Sequence, residues 1–228
     1  MNLKVLGSGS SGNCYVLENE TEALVIEAGL PLMEVKKALD FNIKKIEGLI
    51  ESHSHGDHHK YWYSFSNVGI PVFEPFKGID DNVIFKTKHF KVQAFPLVHD
   101  VPCYGFYIQH KEIGKLLYIT DTEHCKYNFK KQEINHILVE ANYSDEILEK
   151  DAINREHVMR GHMSLETTLE FLKTNDNPTL KNVVLIHLSN KNSNPDEFLK
   201  RTKEIVSNNV NTYIAEKGLN IALSLVPF

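Results

Sequence analysis

Apolar positions along the chain fall into short runs of two periods. Residues 3–6, 14–18 and 22–28 are strand-length runs separated by small or polar residues, so the chain is expected to open as a three-stranded antiparallel meander. Between 31 and 41 the period changes. Leu32, Val35, Ala38 and Leu39 recur at helical spacing, and Pro31 stands in the first turn, where proline is tolerated. Residues 48–52 form a buried strand. Residues 60–65 read as a short helix whose aromatics serve as core or pocket wall. Strands follow at 71–74, 83–85 and 90–95, then a hairpin of 104–109 with 115–119, then a strand over 136–143. A polar stretch to 160 reads as a short helix at 145–150 and a lid-like loop. A helix starts at 161–164 with Ser164 as its cap and Leu165, Leu169 and Leu172 on one face. Residues 182–186 form a buried strand, 195–206 a helix, and 211–215 with 219–225 a closing hairpin. This order predicts an α/β (α+β) fold, two mixed β-sheets with helices outside, as one domain over 1–228.

The 228 residues, 42% hydrophobic, suffice for one well-cored domain. No run of 18 apolar residues is present, so no membrane span is expected. The first residues, followed at once by a Gly/Ser-rich stretch, do not resemble a signal peptide. Cys14, Cys103 and Cys125 are an odd count with no paired spacing. They read as free thiols in a reducing cytoplasm. The net charge of −5 argues against a broad basic face for nucleic acid, although a substrate phosphate held locally by metals remains compatible with it. Composition leaves the oligomeric state open, a homodimer included.

The strand at 48–52 delivers the densest chemistry, Glu51-Ser52-His53-Ser54-His55-Gly56-Asp57-His58-His59. Residues i and i+2 of an extended segment share a face, so His53 and His55 can meet one metal. Gly56 permits a tight turn, after which Asp57 and His58 can face a second. Imidazole with carboxylate suits zinc or another borderline divalent ion. The loop 7–13, Gly7-Ser8-Gly9-Ser10-Ser11-Gly12-Asn13, is either a plain hairpin connection or a set of backbone N–H groups near an anion. It lacks the Lys-Ser/Thr ending of a P-loop.

The pattern H-x-H-x-D-H after an apolar strand resembles the signature of the metallo-β-lactamase fold superfamily, an αββα sandwich of binuclear hydrolases. The likeness extends over essentially the whole chain. It implies that His99, at a strand end, completes the first site with His53 and His55. It likewise implies that His187 joins Asp57 and His58, and that Asp121, in Thr120-Asp121-Thr122, bridges the two sites. Aspartate at 121, where secreted zinc β-lactamases usually carry cysteine, points to the phosphodiesterase and thioesterase branches. Val139-Glu140-Ala141-Asn142-Tyr143 and Gly161-His162-Met163-Ser164 resemble the H-E-A-T-Y and H-S-T segments of RNase Z-type phosphodiesterases. That likeness assigns His162 as general acid, held by Glu140. The role is sensible, because a departing alkoxide needs a proton. The Gly/Ser loop, Val98-His99-Asp100, Thr120-Asp121-Thr122, Gly161-His162-Met163-Ser164 and the stretch 187–194 are similar to segments of the YycJ (WalJ) group, described as DNA 5′-exonuclease-like.

Glu27 stands where the superfamily usually has aspartate, and Ser52 where it usually has threonine. Both put the hydrogen bonds behind the ligands in doubt, not the ligands. Asp100 either orients a histidine or is a loop residue. The implied chemistry is two-metal hydrolysis of a phosphodiester, with zinc, or alternatively manganese, in both sites and Asp57 also positioning the attacking water. His59, His89, His110, His124, His136 and His157 are expected outside this ligand set. Only 21 residues separate His99 from Asp121, so no tRNA-binding arm interrupts the chain, and the 65 between Asp121 and His187 leave no room for a β-CASP insertion. The substrate is then a DNA end or, alternatively, a cyclic nucleotide as in the phage anti-Pycsar enzymes. A non-catalytic metal-binding module is the reading from another class. Seven ligands plus an acid stand against it, since a structural zinc needs four closed ligands.

Overall fold

A computed structural model describes residues 1–78, 83–148 and 155–225. The meander forms as expected: β1 (Asn2–Gly7), β2 (Cys14–Glu18) and β3 (Ala23–Ile26) are antiparallel neighbours. After α1 (Leu32–Ala38), β4 (Ile46–Ile50) lies parallel to β3, and β5 (Val72–Phe73) lies parallel to β4. Between β4 and β5 the chain forms α2 (Gly56–His59) and α3 (Trp62–Ser66). In the second sheet β6 (Ile84–Lys86), β7 (Lys91–Leu97), β8 (Cys103–His110) and β9 (Gly114–Ile119) are antiparallel. β10 (His136–Glu140), β11 (Asn182–Ile186) and β12 (Asn211–Ile214) continue that sheet in parallel from β9. Two helices, α4 (Arg155–Gly161) and α5 (Leu165–Asn175), separate β10 from β11, and α6 (Pro195–Ile205) separates β11 from β12.

The closing hairpin does not form. β13 (Asn220–Ala222) pairs antiparallel with β1 in the first sheet, Leu3 opposite Ile221, while β12 stays beside β11 in the second. The turn at Gly218, whose φ is +94° and whose N–H donates to the Val5 carbonyl, carries the chain from one sheet to the other. Two short strands around a glycine suggest a hairpin locally, but the free edges that receive them are set by the rest of the fold. The helix expected at 145–150 lies partly outside the described residues, and 145–148 make turns. Part of the expected lid-like loop is instead α4.

Alternation along the strands sorts the core into layers. Leu3, Tyr15, Leu17, Leu24, Ile26 and Ile50 of the first sheet meet Phe106, Ile108, Tyr118, Leu138 and Val184 of the second. The intervening residues Cys14, Val16, Val25 and Leu49 turn outward and are covered by Leu32 and Val35 of α1 and Phe65 of α3. On the other side Ile137, Val139, Val183 and Leu185 are covered by Leu165, Leu169 and Leu172 of α5 and Phe198 of α6. The result is the expected αββα sandwich. Both faces of the central strands are apolar because both are covered. The helix starts follow local rules: Ser164 Oγ accepts the Thr167 N–H, and Asn194 Oδ1 accepts the Glu197 N–H ahead of Pro195.

Candidate metal centre and active site

Strand exits from both sheets converge on one site: Glu27 after β3, Ser52 and His53 after β4, His99 after β7, Asp121 after β9, Glu140 at the end of β10 and His187 after β11. Three of these exits turn through left-handed backbone, with φ of +66° at Glu27, +30° at Asp121 and +54° at His187. Such conformations cost non-glycine residues on the order of 1–3 kcal/mol each and concentrate at functional sites.

His53, His55 and His99 form one cluster. Their ring centroids are 4.7 to 5.0 Å apart, and His99 Nε2 is 3.3 Å from His55 Nδ1. Asp100 Oδ1 lies 3.1 Å from His99 Nε2 and 3.4 Å from His55 Nε2. Of the two readings open for Asp100, the side chain therefore faces the histidines. Asp57, His58 and His187 form a second cluster, in which Asp57 Oδ2 is 3.2 Å from His187 Nε2 and 3.5 Å from His58 Nε2. Asp121 stands between them. Its Oδ1 is 3.2 Å from His58 Nε2 and its Oδ2 is 3.9 Å from His53 Nε2. All seven side chains named from the sequence are thus brought together.

The residues behind them fix their orientation. Ser52 Oγ lies 2.8 Å from His53 Nδ1, which leaves the buried His53 Nε2 aimed into the cluster without a hydrogen-bond partner. Glu27, despite its extra methylene, places Oε1 3.4 Å from His58 Nδ1 and accepts the Ser52 N–H. Both departures from the usual residues therefore retain polar contacts to the ligands. Gly56 has no left-handed φ, and a Cβ there would meet nothing within 4 Å. The tight turn expected of it is instead the start of α2. The close approach is at Gly29, where a Cβ would sit 1.8 Å from the Asp57 carbonyl oxygen. That carbonyl accepts the Asn13 N–H at 2.7 Å, and the His58 carbonyl accepts the Ala28 N–H at 2.7 Å.

Asn13 and Asn142 are site residues that the sequence did not single out. The buried Asn13 amide lies 2.9 Å from His58 Nε2 and 3.3 Å from Asp57 Oδ2. Asn142 Nδ2 donates to the His187 carbonyl at 2.8 Å. The signal for Asn13 was a polar amide directly before the apolar run Cys14–Leu17. The Gly/Ser loop is more than a connection: Ser8 Oγ accepts the His187 N–H at 2.8 Å.

His162 lies between α4 and α5 and does not begin a helix. Its Nδ1 donates to Glu140 Oε1 at 2.7 Å, and its ring stacks on His187 with centroids 5.3 Å apart. Glu140 Oε1 also faces His187 Nδ1 at 3.0 Å, while Oε2 accepts the Thr122 and Met163 N–H groups. Asp121, Glu140, His162 and His187 also meet the spacing of a metal cluster, but Glu140 is saturated by these four partners.

Burial opposes charge throughout the site, and the neighbours decide the balance. Burial pushes the His53 imidazole well below the usual range, with His58 adding to the effect. For His162 burial is outweighed by Glu140 and Asp121, so its pKa is raised. His187 is pushed up to about 10 against its burial, chiefly by Asp121 and Asp57. Asp121 is held well below the carboxylate range despite burial, by His187 and His58.

The donor set fits divalent metal. Imidazole and carboxylate are the ligands of such ions, and a buried ring nitrogen left without a partner, as at His53, costs free energy that a metal would remove. The model of the metallo-beta-lactamase superfamily matches residues 7–59. Two curated relatives extend the likeness. "Exodeoxyribonuclease YycJ" of Bacillus anthracis is 25% identical over 97% of this chain and 92% of its own. "Exodeoxyribonuclease WalJ" of Streptococcus pneumoniae is 27% identical over 83% of this chain and 82% of its own. Among solved structures, the metallo-beta-lactamase fold protein YhfI from Bacillus subtilis superposes with a TM-score of 0.72 at 16% identity, covering 96% of this chain and 98% of that one.

The chain has the metallo-beta-lactamase fold. No helix among its described residues is long and apolar enough to cross a membrane.

Proposed function

We propose that this chain is a member of the metallo-beta-lactamase superfamily and a binuclear metal-dependent phosphodiesterase, a single domain that acts on DNA ends from the 5′ side. The observation that carries the chemistry is the arrangement around Asp121. Its two oxygens face one histidine of each three-residue cluster, and the Glu140–His162 pair stands beside it, with His162 Nδ1 3.6 Å from Asp121 Oδ2. Two divalent ions held there, zinc or alternatively manganese, would acidify a water molecule and offset phosphate charge. His53, His55 and His99 would hold one, Asp57, His58 and His187 the other, and Asp121 both.

The residues of the chain do the rest. Asp57 orients the attacking water. Glu140 keeps Nδ1–H of His162 engaged, so the Nε2–H of the imidazolium is the proton available to the leaving alkoxide. The raised pKa of His162 suits an acid that must be protonated before the reaction. Ser52, Glu27 and Asn13 hold the ligand rings in register with the ions.

The choice of DNA rests on likeness to the two exodeoxyribonucleases over most of this chain. It is supported by shape. A cleft of about 280 Å³ beside Asp57 and Lys60 shares Ser11 and Leu30 with a second cleft of about 410 Å³ reaching Asn190 and Lys217. Neighbouring clefts that lead away from Asp57 suit a polymer better than a mononucleotide. Unpaired Cys14, Cys103 and Cys125 suit the reducing cytoplasm. The test is a parallel assay of metal-loaded protein on 5′-phosphorylated DNA and on cyclic mononucleotides. Release of nucleotides from DNA 5′ ends, steeply weakened by salt, is the expected result. Opening of cyclic nucleotides with DNA left intact overturns the reading.

A further inference from the structure

Glu51, His59 and Glu74 bring three more donor atoms within 4.8 Å of one another, and none of these residues belongs to the seven described above. Glu51 follows β4, Glu74 follows β5, and the Glu51 N–H donates to the Phe73 carbonyl. Parallel pairing of the two strands thus sets the carboxylates side by side. His59, the last residue of α2, points Nδ1 at both, 3.1 Å from Glu51 Oε2 and 3.7 Å from Glu74 Oε1. Its ring is clamped: Trp62 stacks on it at 5.4 Å with planes 9° apart, and Phe76 meets it edge-on at 5.4 Å.

The charges of this cluster do not close. Lys77 Nζ is 2.6 Å from Glu74 Oε1 and sits over the Trp62 ring, so one cation answers two carboxylates. Glu51 is the group left over. It is fully buried, and its Oε1 has no hydrogen-bond partner. A buried carboxylate whose one partner is the His59 ring at Oε2 is costly there unless a cation or a proton meets the other oxygen. One imidazole nitrogen and two carboxylates form a donor set for zinc or manganese.

We propose that Glu51, His59 and Glu74 form a further divalent-cation site, distinct from the seven-residue centre. Its role is to brace α2. That helix carries Asp57 and His58, and an ion on His59 fixes the residue next to His58. The ion joins the exits of β4 and β5 to the turn that presents the catalytic ligands.

The deciding experiment counts metal. Wild type, Glu74→Gln and His59→Gln are equilibrated with excess zinc, freed of unbound metal by gel filtration, and analysed for zinc per folded chain, with circular dichroism checking the fold. Glu74→Gln is expected to carry one ion fewer than wild type, and His59→Gln likewise. Glu74→Gln is the stricter variant, because Glu74 is remote in sequence from the seven ligands. Equal zinc in wild type and Glu74→Gln overturns the site, including the case in which only His59→Gln loses an ion. A wild-type total other than three, with the one-ion difference kept, would instead count against the binuclear reading and leave this site standing.

Discussion

Replacing His162 by alanine separates proton donation from metal binding. The His162 side chain is 17% exposed, so its ring reaches the rim of the site, and its Nδ1 is committed to Glu140 at 2.7 Å. Removing it deletes the proton donor but none of the seven proposed ligands. General acid catalysis contributes typically ~10²–10⁴ in rate, equivalent to about 3–5 kcal/mol of barrier at 1.36 kcal/mol per tenfold. With a nucleotide alkoxide as leaving group, His162→Ala is expected to lose that much kcat while keeping its metal content and thermal midpoint. With a nitrophenyl phosphodiester, whose leaving group departs without a proton, the loss should shrink to a small factor. Paired kcat measurements on the two substrates, with metal analysis of the same preparations, make the test. Equal losses on both, or a missing ion in His162→Ala, would refute the assignment and favour the alternative grouping of Asp121, Glu140, His162 and His187 as ligands. Glu140→Gln is a poorer probe, because Glu140 also faces His187 Nδ1 at 3.0 Å and its loss disturbs both functions.

Ser52→Ala removes the hydroxyl held 2.8 Å from His53 Nδ1. Metal affinity is expected to fall roughly 10–100-fold, the usual effect of losing a partner behind a ligand, as read by competition with a chromophoric chelator. Unchanged affinity would show that Cys103 Sγ, 3.7 Å from the same nitrogen, suffices to hold the ring. Gly29→Ala would place a Cβ 1.8 Å from the Asp57 carbonyl oxygen, so α2 must move. Metal content should drop for the Asp57–His58 cluster while the core still melts cooperatively, a result checked by metal analysis and a thermal scan.

Much of this was legible because the chemistry is local. The run His53 to His58 packs four donors into six residues, and apolar runs of two periods marked nearly every strand and helix. What stayed hidden was non-local. The left-handed backbone at Glu27 has no signature in residue type, and aspartate and histidine, though enriched in that conformation, adopt it too seldom to mark Asp121 and His187 in advance. Gly56 suggested a tight turn, whereas the residue that requires glycine is Gly29, far away in sequence, against the Asp57 carbonyl. Asn13 and Asn142 declare themselves only when folding sets them on Asp57, His58 and His187. The last two strands read as a hairpin by spacing, yet the free edges of β1 and β11 lie in different sheets. α4 escaped notice because Arg155–Gly161 is a short, polar segment without a strong apolar stripe.

Anomalous diffraction from zinc-loaded crystals tests most directly whether the seven side chains hold two ions around Asp121. Two peaks are expected at this centre, roughly 3.5–4 Å apart as in two-metal hydrolases. One should lie among His53, His55 and His99, the other among Asp57, His58 and His187, with an Asp121 oxygen on each. A single peak at this centre, or a peak within the Glu140–His162–His187 group, would contradict it.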